Sequence, residues 1–382
     1  MAPSPSADDF GLRVAVLYAC LFVIVGIQFP FFPLWLKARG LDPEAIGIVL
    51  AVPIVVRIFA VPVLNRLADR AGDLRGGLIA AAFAGAVGFA IVGFCHGFVP
   101  ILLAVALASL LSSPIISLAD AYALKGLTAR GRAYGPVRLW GSIAFIVANL
   151  GTGALIAVIL TDRLIWLIVA SFALLGAAAL WQRKLDAGPI ADAEPKSSAE
   201  HIWRSPKFLA IAAAASLIQA SHALYYGFSA LDWTAKGLSG TTIGLLWGLG
   251  VVAEIFLFAL SGRLALNPAM LLAIGAAGAA VRWIAMAFDP AFALLPLIQC
   301  LHGLSFGATH LGSIQFVARM AGDRRAAAAQ GDFSTILAIG GAAAAGASGV
   351  LYESLGDHGY AAMAALAVLG GACLSFALRV RH

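Results

Sequence analysis

The chain has 382 residues, of which 62% are hydrophobic and only 12% are charged. Soluble globular domains carry about 25% charged residues, so this composition excludes an ordinary soluble protein and indicates an integral membrane protein. The net charge of +6 does not require a nucleic-acid partner. The basic residues that cause it lie mostly in loops between apolar segments, where they set orientation in a membrane.

Twelve apolar segments follow one another along the chain, separated by Pro, Gly and charged residues. A membrane-spanning helix needs about 20 mainly apolar residues, which is close to the length of each segment. Segments 1 to 6 lie at 11–36, 43–66, 76–95, 98–124, 134–160 and 163–182, and segments 7 to 12 at 206–232, 240–265, 268–287, 291–319, 326–353 and 358–380. The sequence therefore predicts an all-α integral membrane protein with twelve transmembrane helices.

The two halves of the chain repeat one another. The stretch "LWLKARGLDPEAIG" from Leu34 matches "LDWTAKGLSGTTIG" from Leu231 at six positions, a shift of 197 residues (from 34 to 231). We therefore predict a six-helix bundle at 1–182, a cytoplasmic linker at 183–205 and a second six-helix bundle at 206–382. Two such pseudo-symmetric bundles are typical of a rocking carrier with its site between the halves. A structural duplication without transport remains open.

The basic residues predict the orientation in the membrane. Of the 25 Lys and Arg residues, nineteen fall in alternate loops on one side and four on the other. Positive residues are retained on the cytoplasmic side, so we expect a multi-pass protein of the cell inner membrane with both termini in the cytoplasm. The loop arginines would also contact anionic lipid.

Two basic residues and one acidic residue lie inside predicted helices: Arg57, Arg282 and Glu254, the last within "LLWGLGVVAEIFLFAL". Arg57 and Glu254 occupy equivalent positions of the two repeats, since they are 197 residues apart. An ionised group at membrane depth costs at least about 2.5–3.5 kcal/mol, so each should face the bundle interior and bind something. Glu254 is a candidate proton carrier, since desolvation favours its neutral form. A fixed ion pair with Arg282 or Arg57 is the alternative.

Segment 7 carries a polar and aromatic stripe at helical spacing, formed by Gln219, His222, Tyr226, Ser229 and Trp233. Such a face suits an aromatic ligand with a polar head, and a histidine there could relay protons. An interhelical hydrogen bond is the alternative for the histidine. Segment 10 places His302 and His310 on roughly one side, and we expect at least one of them to line a cavity.

Segments 4 and 5 carry polar stripes that include Asp120 and Arg138. A guanidinium suits a carboxylate, so Arg138 is a candidate anchor for a substrate acid, with Asp120 holding it when the site is empty. Trp140 would help to hold an aromatic ring, and Arg57 is a second candidate anchor. A purely structural Asp120–Arg138 bridge remains open.

The loop "NRLADRAGDLR" from Asn65 to Arg75 resembles the signature loop of the major facilitator superfamily, which reads Gly, three residues, Asp, a basic residue, any residue and Gly. Asp69, Arg70 and Gly72 match the pattern, and Asn65 stands at the first Gly. The resemblance implies a gating role for this loop.

The stretches "HALYYGFSALDW", "GVVAEIFLFALS", "VRW", "QCLHG" and "YGPVRLWGSIAF" resemble the phenylpropionic acid transporter branch of that superfamily, which is similar to the lactose permease group of proton symporters. This resemblance implies substrate binding by Asp120 and Arg138. It implies proton handling by Glu254, Arg282 and either His302 or His310. The second acidic residue that lactose permease carries in its tenth helix is missing here.

We therefore expect proton-coupled uptake of a small organic anion, such as a phenylpropionate, by alternating access. A sugar or nucleoside symporter, a drug exporter of the same fold, and a membrane sensor that moves nothing are the alternatives. No metalloprotease, phosphate-loop or nucleophile-elbow motif indicates an enzyme or a cofactor. The expected partners are the substrate, the proton and lipid, and we expect a monomer.

Overall fold

A computed structural model describes residues 9–185, 205–264, 266–321 and 326–380. Within these ranges, the side chains at 69, 71, 262–264, 321 and 326–328 are also left undescribed. Nine of the predicted segments are single helices: Phe10–Ala38, Pro43–Ala71, Leu74–Phe94, Tyr134–Ile156, Leu164–Trp181, Gly240–Leu264, Pro268–Ala287, Ala326–Leu355 and Tyr360–Arg379.

Segments 4, 7 and 10 are helical but interrupted. Segment 4 consists of Phe98–Ser112 and Ile115–Thr128, segment 7 of Pro206–Ala220 and Ala223–Ala235, and segment 10 of Leu295–Cys300, a π-helical turn at Gly303–Ala308, and Thr309–Ala321. Pro114 lies at the break in segment 4, where it has no amide hydrogen to donate. In segment 7 the Ser221 hydroxyl donates to the Ile218 carbonyl at 2.6 Å, so a side chain satisfies the interrupted backbone.

Eleven described stretches are long and apolar enough to cross a membrane. The last of them, Ala329–Arg379, has 51 residues and would be about 77 Å long as one helix, whereas a bilayer core is about 30 Å thick. It contains two helices separated by a 3₁₀ turn at Gly356–Gly359. The prediction of an all-α membrane protein with twelve spanning segments is therefore confirmed.

The internal repeat extends to the backbone. Gly40 and Gly237, which the shift of 197 superimposes, have φ angles of 84° and 85°, a left-handed conformation that glycine adopts without strain. After each glycine, the next amide returns to the helix that precedes it: Leu41 N to Leu36 O at 3.2 Å, and Leu238 N to Trp233 O at 2.9 Å. The two halves therefore turn in the same way between their first and second helices.

The described residues fall into two compact units. Unit 1 comprises those within 1–41, 56–190 and 239–244, and unit 2 those within 42–55, 191–238 and 245–382. The predicted bundle limits at 182 and 206 remain a prediction, because most of the linker lies outside the described residues. Unit 2 has a core that includes Phe208, Ile211, Leu272 and Phe333.

Many large apolar side chains lie on the outside of the helices. Val87, Leu103 and Val158 are 59%, 64% and 79% exposed. Exposed apolar surface on this scale is unfavourable in water but matches the hydrocarbon of a bilayer. The composition and the distribution of side chains thus agree on a membrane environment.

Small residues allow helices to approach closely within each unit. In unit 1, a Cβ added at Gly153 of segment 5 would collide with the backbone carbonyl of Gly240, which begins segment 8. In unit 2, a Cβ added at Gly349 of segment 11 would collide with the carbonyl of Pro43. Such glycines are the usual means by which membrane helices come into contact, since lipid offers little hydrophobic drive.

We predict that Gly153→Ala lowers thermal stability in detergent, because the added methyl group meets rigid backbone and overpacking of this kind costs about 1–3 kcal/mol. Gly151→Ala, two residues away in the same helix, is the matched control. Nothing lies within 4 Å of its added Cβ, so it should raise the melting temperature slightly or leave it unchanged. Equal melting temperatures for the two variants would contradict the close packing at Gly153.

Candidate functional site

Arg282 of segment 9 is the centre of a buried polar cluster in unit 2. The residue is 0% exposed. Its Nη2 donates to Gln299 Oε1 at 2.6 Å and its Nη1 contacts His302 Nδ1 at 2.9 Å. The rings of Tyr225 and Trp283 each have their centres 4.5 Å from the guanidinium carbon. The cation is thus held by uncharged groups from segments 7, 9 and 10.

The contact with Arg282 determines which ring nitrogen of His302 carries the hydrogen. A guanidinium only donates hydrogen bonds, so Nδ1 must accept from Arg282 and the ring hydrogen is on Nε2. That nitrogen lies 3.9 Å from Glu254 Oε2 on segment 8. The neutral imidazole therefore stands between the guanidinium and the carboxylate, with its N–H on the side of Glu254.

The hydrogen bonds of His222 likewise determine which of its ring nitrogens carries the hydrogen. Its Nδ1 lies 3.1 Å from the Ile218 carbonyl and 3.2 Å from the Gln219 carbonyl, so Nδ1 carries the hydrogen. Its Nε2 accepts from the Ser305 hydroxyl at 3.0 Å, and Ser305 Oγ in turn lies 3.4 Å from Arg282 Nη1. Accepting from Arg282 requires His302 to be neutral, and His222 is assigned as neutral with Ser305 as the donor to its Nε2.

Local departures from regular helix place these groups. His222 lies in the break of segment 7, and His302 immediately precedes the π-helical turn of segment 10. π turns insert one extra residue and occur often at functional sites. A Cβ added at Gly303 would lie 2.8 Å from the Ala253 carbonyl oxygen, so this glycine lets segment 10 approach segment 8 next to Glu254.

An aromatic group adjoins Arg282. Trp247 of segment 8 stacks on Tyr225 with ring centres 4.7 Å apart and lies 5.8 Å from the ring of Tyr226. Tyr226 stacks on His222 at 5.7 Å. The indole Nε1 of Trp247 and the hydroxyl of Ser229 are buried and have no hydrogen-bond partner among the described residues. The group combines apolar ring faces with unused polar atoms.

A second cluster lies in unit 1 around Asp120. The carboxylate accepts from the hydroxyls of Tyr18 at 2.5 Å and Tyr134 at 2.9 Å. The guanidinium carbon of Arg138 lies over the rings of Tyr18 and Phe22, at 5.2 and 4.0 Å. We expected Asp120 to hold Arg138. In the described part of the chain two phenols bind Asp120 instead, and it forms no ion pair with Arg138 within 4 Å.

The remaining predicted site residues lie apart from these clusters. Arg57 and Trp140 are exposed, the latter by 53%. His310 is exposed and stacks on Phe306 at 5.9 Å, and among the described residues it forms no hydrogen bond to the Arg282 cluster. Of the two candidate histidines in segment 10, His302 is therefore the one brought to Arg282 and Glu254.

The predicted gating loop is described in part. The Asp69 side chain lies outside the described residues, Arg70 is exposed, and Gly72 has a φ of 66°, which explains a glycine at that position. Asn65, which replaces the first glycine of the motif, accepts a hydrogen bond from Ser117 of segment 4 at 2.8 Å. It ties segment 2 to segment 4 by a side chain.

Lys236, at the end of segment 7, binds three carboxylates. Its Nζ lies 3.0 Å from Asp232 and 2.7 Å from Asp289, and it also bonds to Asp357. Burial acts to lower the pKa of Lys236, but these three hydrogen bonds outweigh it and the pKa is raised. A cavity of about 280 Å³ adjoins the cluster. Lys236 thus joins the ends of several unit 2 segments.

Sequence reasoning missed six participants: Tyr18, Tyr134, Ser305 and the three carboxylates around Lys236. Ser305 follows His302 by three residues, a spacing that would have placed both on one helix face. Tyr18 lies on segment 1, whose composition is apolar almost throughout and gave no polar stripe. Asp232 precedes Lys236 by four residues, a helical spacing that could have been found. Asp289 and Asp357 come from distant parts of the sequence that no local pattern connects to Lys236.

Twelve spanning helices, an internal repeat and buried ionisable groups define a multi-pass membrane transporter of the major facilitator type. The MFS_1 like family matches residues 12–360, and the chain belongs to that family. Its similarity to known transporters also shows that it is not an enzyme.

Two relatives align over most of the chain. It is 32% identical over 370 residues to the probable 3-phenylpropionic acid transporter of Escherichia coli (strain K12), covering 93% of this chain and 94% of that one. It is 29% identical over 324 residues to the maltose permease of Geobacillus stearothermophilus, covering 81% and 79%.

Solved structures of transporters share the fold. The nucleoside transporter NupG superimposes with a TM-score of 0.84 at 16% identity, covering 98% of this chain and all of that one (100%). A bacterial homolog of the human lysosomal transporter Spinster superimposes with a TM-score of 0.77 at 14% identity, covering 99% and 98%. At these identities the likeness concerns the fold alone.

We predict that Ser305→Ala destabilises the protein by about 1–3 kcal/mol, because it leaves His222 Nε2 buried without a donor. Ser313→Ala is the matched control on the same segment. Ser313 is also buried, but its hydroxyl bonds only to the carbonyl of His310 within its own helix. Thermal unfolding in detergent should lower the melting temperature of the first variant alone, and an equal loss in both would refute the Ser305 link.

Proposed function

We propose that the protein is a secondary active transporter that imports a small aromatic carboxylate together with a proton by alternating access. The observation that carries this proposal is the series Glu254, His302 and Arg282 in unit 2, of which His302 and Arg282 are buried, beside the aromatic group of Tyr225 and Trp247. A carboxylate at membrane depth can be neutral or charged, and this change is what proton coupling requires. The similarity to a probable 3-phenylpropionic acid transporter of Escherichia coli supports an aromatic acid as the solute.

Glu254 is the proposed proton carrier. His302 already accepts from Arg282 at Nδ1, so a second proton on that ring would break the bond to the guanidinium. The change of charge is therefore assigned to the neighbouring carboxylate of Glu254, whose Oε2 lies 3.9 Å from His302 Nε2.

The substrate ring and carboxylate are assigned to different groups. Tyr226 and His222 of unit 2 are the proposed contacts of the ring, since aromatic pairs contribute beyond their buried area. Arg138 or Arg57 is the anchor expected from the sequence for the carboxylate. Arg138 is half-buried over two aromatic rings, and Asp120 beside it is occupied by phenols.

The proposal also covers the membrane location, the orientation and the oligomeric state of the protein. An inner-membrane location with both termini in the cytoplasm rests on the excess of basic residues in alternate loops. That orientation would place the loop of Asp69, Arg70 and Gly72 on the cytoplasmic side as a gate. The protein would act as a monomer.

Uptake of 3-phenylpropionate into proteoliposomes tests the coupling. An imposed inward proton gradient should drive accumulation, and a protonophore should abolish it. Glu254→Gln should lose concentrative uptake while keeping exchange of labelled for unlabelled substrate, because the variant cannot release a proton. The matched control is Glu353→Gln, which changes an exposed carboxylate and should transport as the parent protein does.

Failure of the parent protein to accumulate any phenyl-substituted acid would reject the proposed substrate or the proposed coupling. Accumulation by Glu254→Gln at the parent rate would reject Glu254 as the carrier. A membrane sensor, the alternative from another class, would show no flux in either form.

A neutral solute is the second candidate function, favoured by the likeness to a maltose permease. Binding of 3-phenylpropionate and of its amide separates the two functions. We expect the acid to bind and the amide to bind weakly, since a site with a buried guanidinium loses its charge partner when the ligand is neutral. Binding of maltose or a nucleoside in preference to both would favour the alternative.

A further inference from the structure

Arg282 carries a buried positive charge that none of the described residues neutralises by direct contact. It is 0% exposed, and its hydrogen-bond partners are the uncharged groups of Gln299, His302 and Ser305. No described carboxylate lies within 4 Å of it. Its Nε–H is buried and has no hydrogen-bond partner among the described residues. A buried charge in this state is unfavourable until an anion joins it.

We infer that Arg282 binds the carboxylate of the transported acid and that its contact with His302 links this binding to protonation of Glu254. The inference rests on the proposed function and replaces Arg138 and Arg57 as the anchor. It assigns the anion and the proton to the two sides of one imidazole ring.

The direction of approach follows from the donors of the guanidinium, which all lie in its plane. Tyr225 and Trp283 lie near its carbon at 4.5 Å, and a carboxylate that hydrogen-bonds to Arg282 approaches in the guanidinium plane. Two parallel N–H groups in that plane form the strongest bonds to a carboxylate. Nε is unused and Nη2 is held by the neutral amide of Gln299. A carboxylate that takes both would exchange a neutral acceptor for a charged one.

The aromatic group indicates the chemistry of the rest of the ligand, which is an aryl ring joined to the carboxylate by a short chain. Tyr225 contacts Arg282 and stacks on Trp247. The buried Nε1 of Trp247 is a second donor without a partner among the described residues. Ring faces and unused donors thus occur together beside the guanidinium, as an aromatic acid requires.

The linkage to the proton is electrostatic. Glu254, when ionised, lies across His302 from Arg282 and supplies part of the missing negative charge. The substrate carboxylate supplies the same charge from a shorter distance, so both anions together are unfavourable and binding of one favours protonation of the other. Among described residues, the titratable or charged groups near Glu254 are Tyr226, Arg282 and His302, with His222 behind them. Protonation of His302 at Nδ1 would break its bond to Arg282, so the inference assigns the change of charge to Glu254.

Titration calorimetry with 3-phenylpropionate on the purified full chain tests this inference. Repeating it in two buffers with different ionisation enthalpies counts the protons taken up, and we expect about one proton per bound acid above the pKa of Glu254. Glu254→Gln should bind the acid with equal or higher affinity, take up no proton, and show affinity that no longer falls as pH rises. Binding by Glu254→Gln with the parent's pH dependence would overturn the linkage.

The anchor is tested by the preference for the acid over 3-phenylpropanamide. Arg282→Lys should reduce this preference by on the order of tenfold or more, since Lys keeps the charge but cannot donate two parallel bonds. Arg138→Lys should retain the preference even if its overall affinity changes. The reverse result would place the anchor in unit 1 and overturn the inference, while the proposed transport of an aromatic acid would stand.

The same binding measurements also cover two further outcomes, a parent protein without acid preference and an Arg282→Lys variant that does not fold. Absence of any acid preference in the parent protein would reject the proposed function and with it this inference. If Arg282→Lys does not fold, the pH dependence of Glu254→Gln and the preference of Arg138→Lys decide the matter without it.

Discussion

Hydrocarbon does not hydrogen-bond, so each polar group inside a membrane helix has to find its partner within the protein. In unit 2 this constraint centres on Arg282. The residue fixes Gln299 and His302 through its two terminal nitrogens, and Ser305 relates it to His222. Because the guanidinium can only donate, it fixes the direction of its bond to His302 and the neutral state of that imidazole. Charge change is thereby concentrated on Glu254.

The same constraint explains why the helices that carry these groups are irregular. A broken or π-helical turn frees backbone groups, which is unfavourable in lipid unless side chains compensate for them. In segment 7 the freed carbonyls are bound by Ser221 and His222. The interruption and the polar cluster therefore support one another: the break places the histidine, and the histidine stabilises the break.

Much of this architecture was predictable, because membrane-spanning segments are recognised by their apolar composition and an internal repeat by identical residues at a constant shift. The twelve segments, the repeat that includes Gly40 and Gly237, and the presence of polar residues at depth required no coordinates. The choice between His302 and His310 did require them, since the π turn changes the register between the two. The partners of Asp120 were also missed. Opposite charges predict an ion pair, yet the phenol of Tyr18 comes from a segment without a polar pattern and takes its place.

Arg138 and Arg282 have the same type of side chain, but their different surroundings give them different roles. Arg138 is half-buried over aromatic rings and has Asp120 in its cluster, so it can be compensated by its surroundings or solvent without a ligand. Arg282 is fully buried, and its bonded partners are neutral acceptors. Neutral acceptors hold a guanidinium in place but leave its charge unopposed, whereas a carboxylate partner would compete with an incoming anion. A cation kept in position by neutral groups can accept an anion and release it again, and reversible binding of this kind is what a carrier requires.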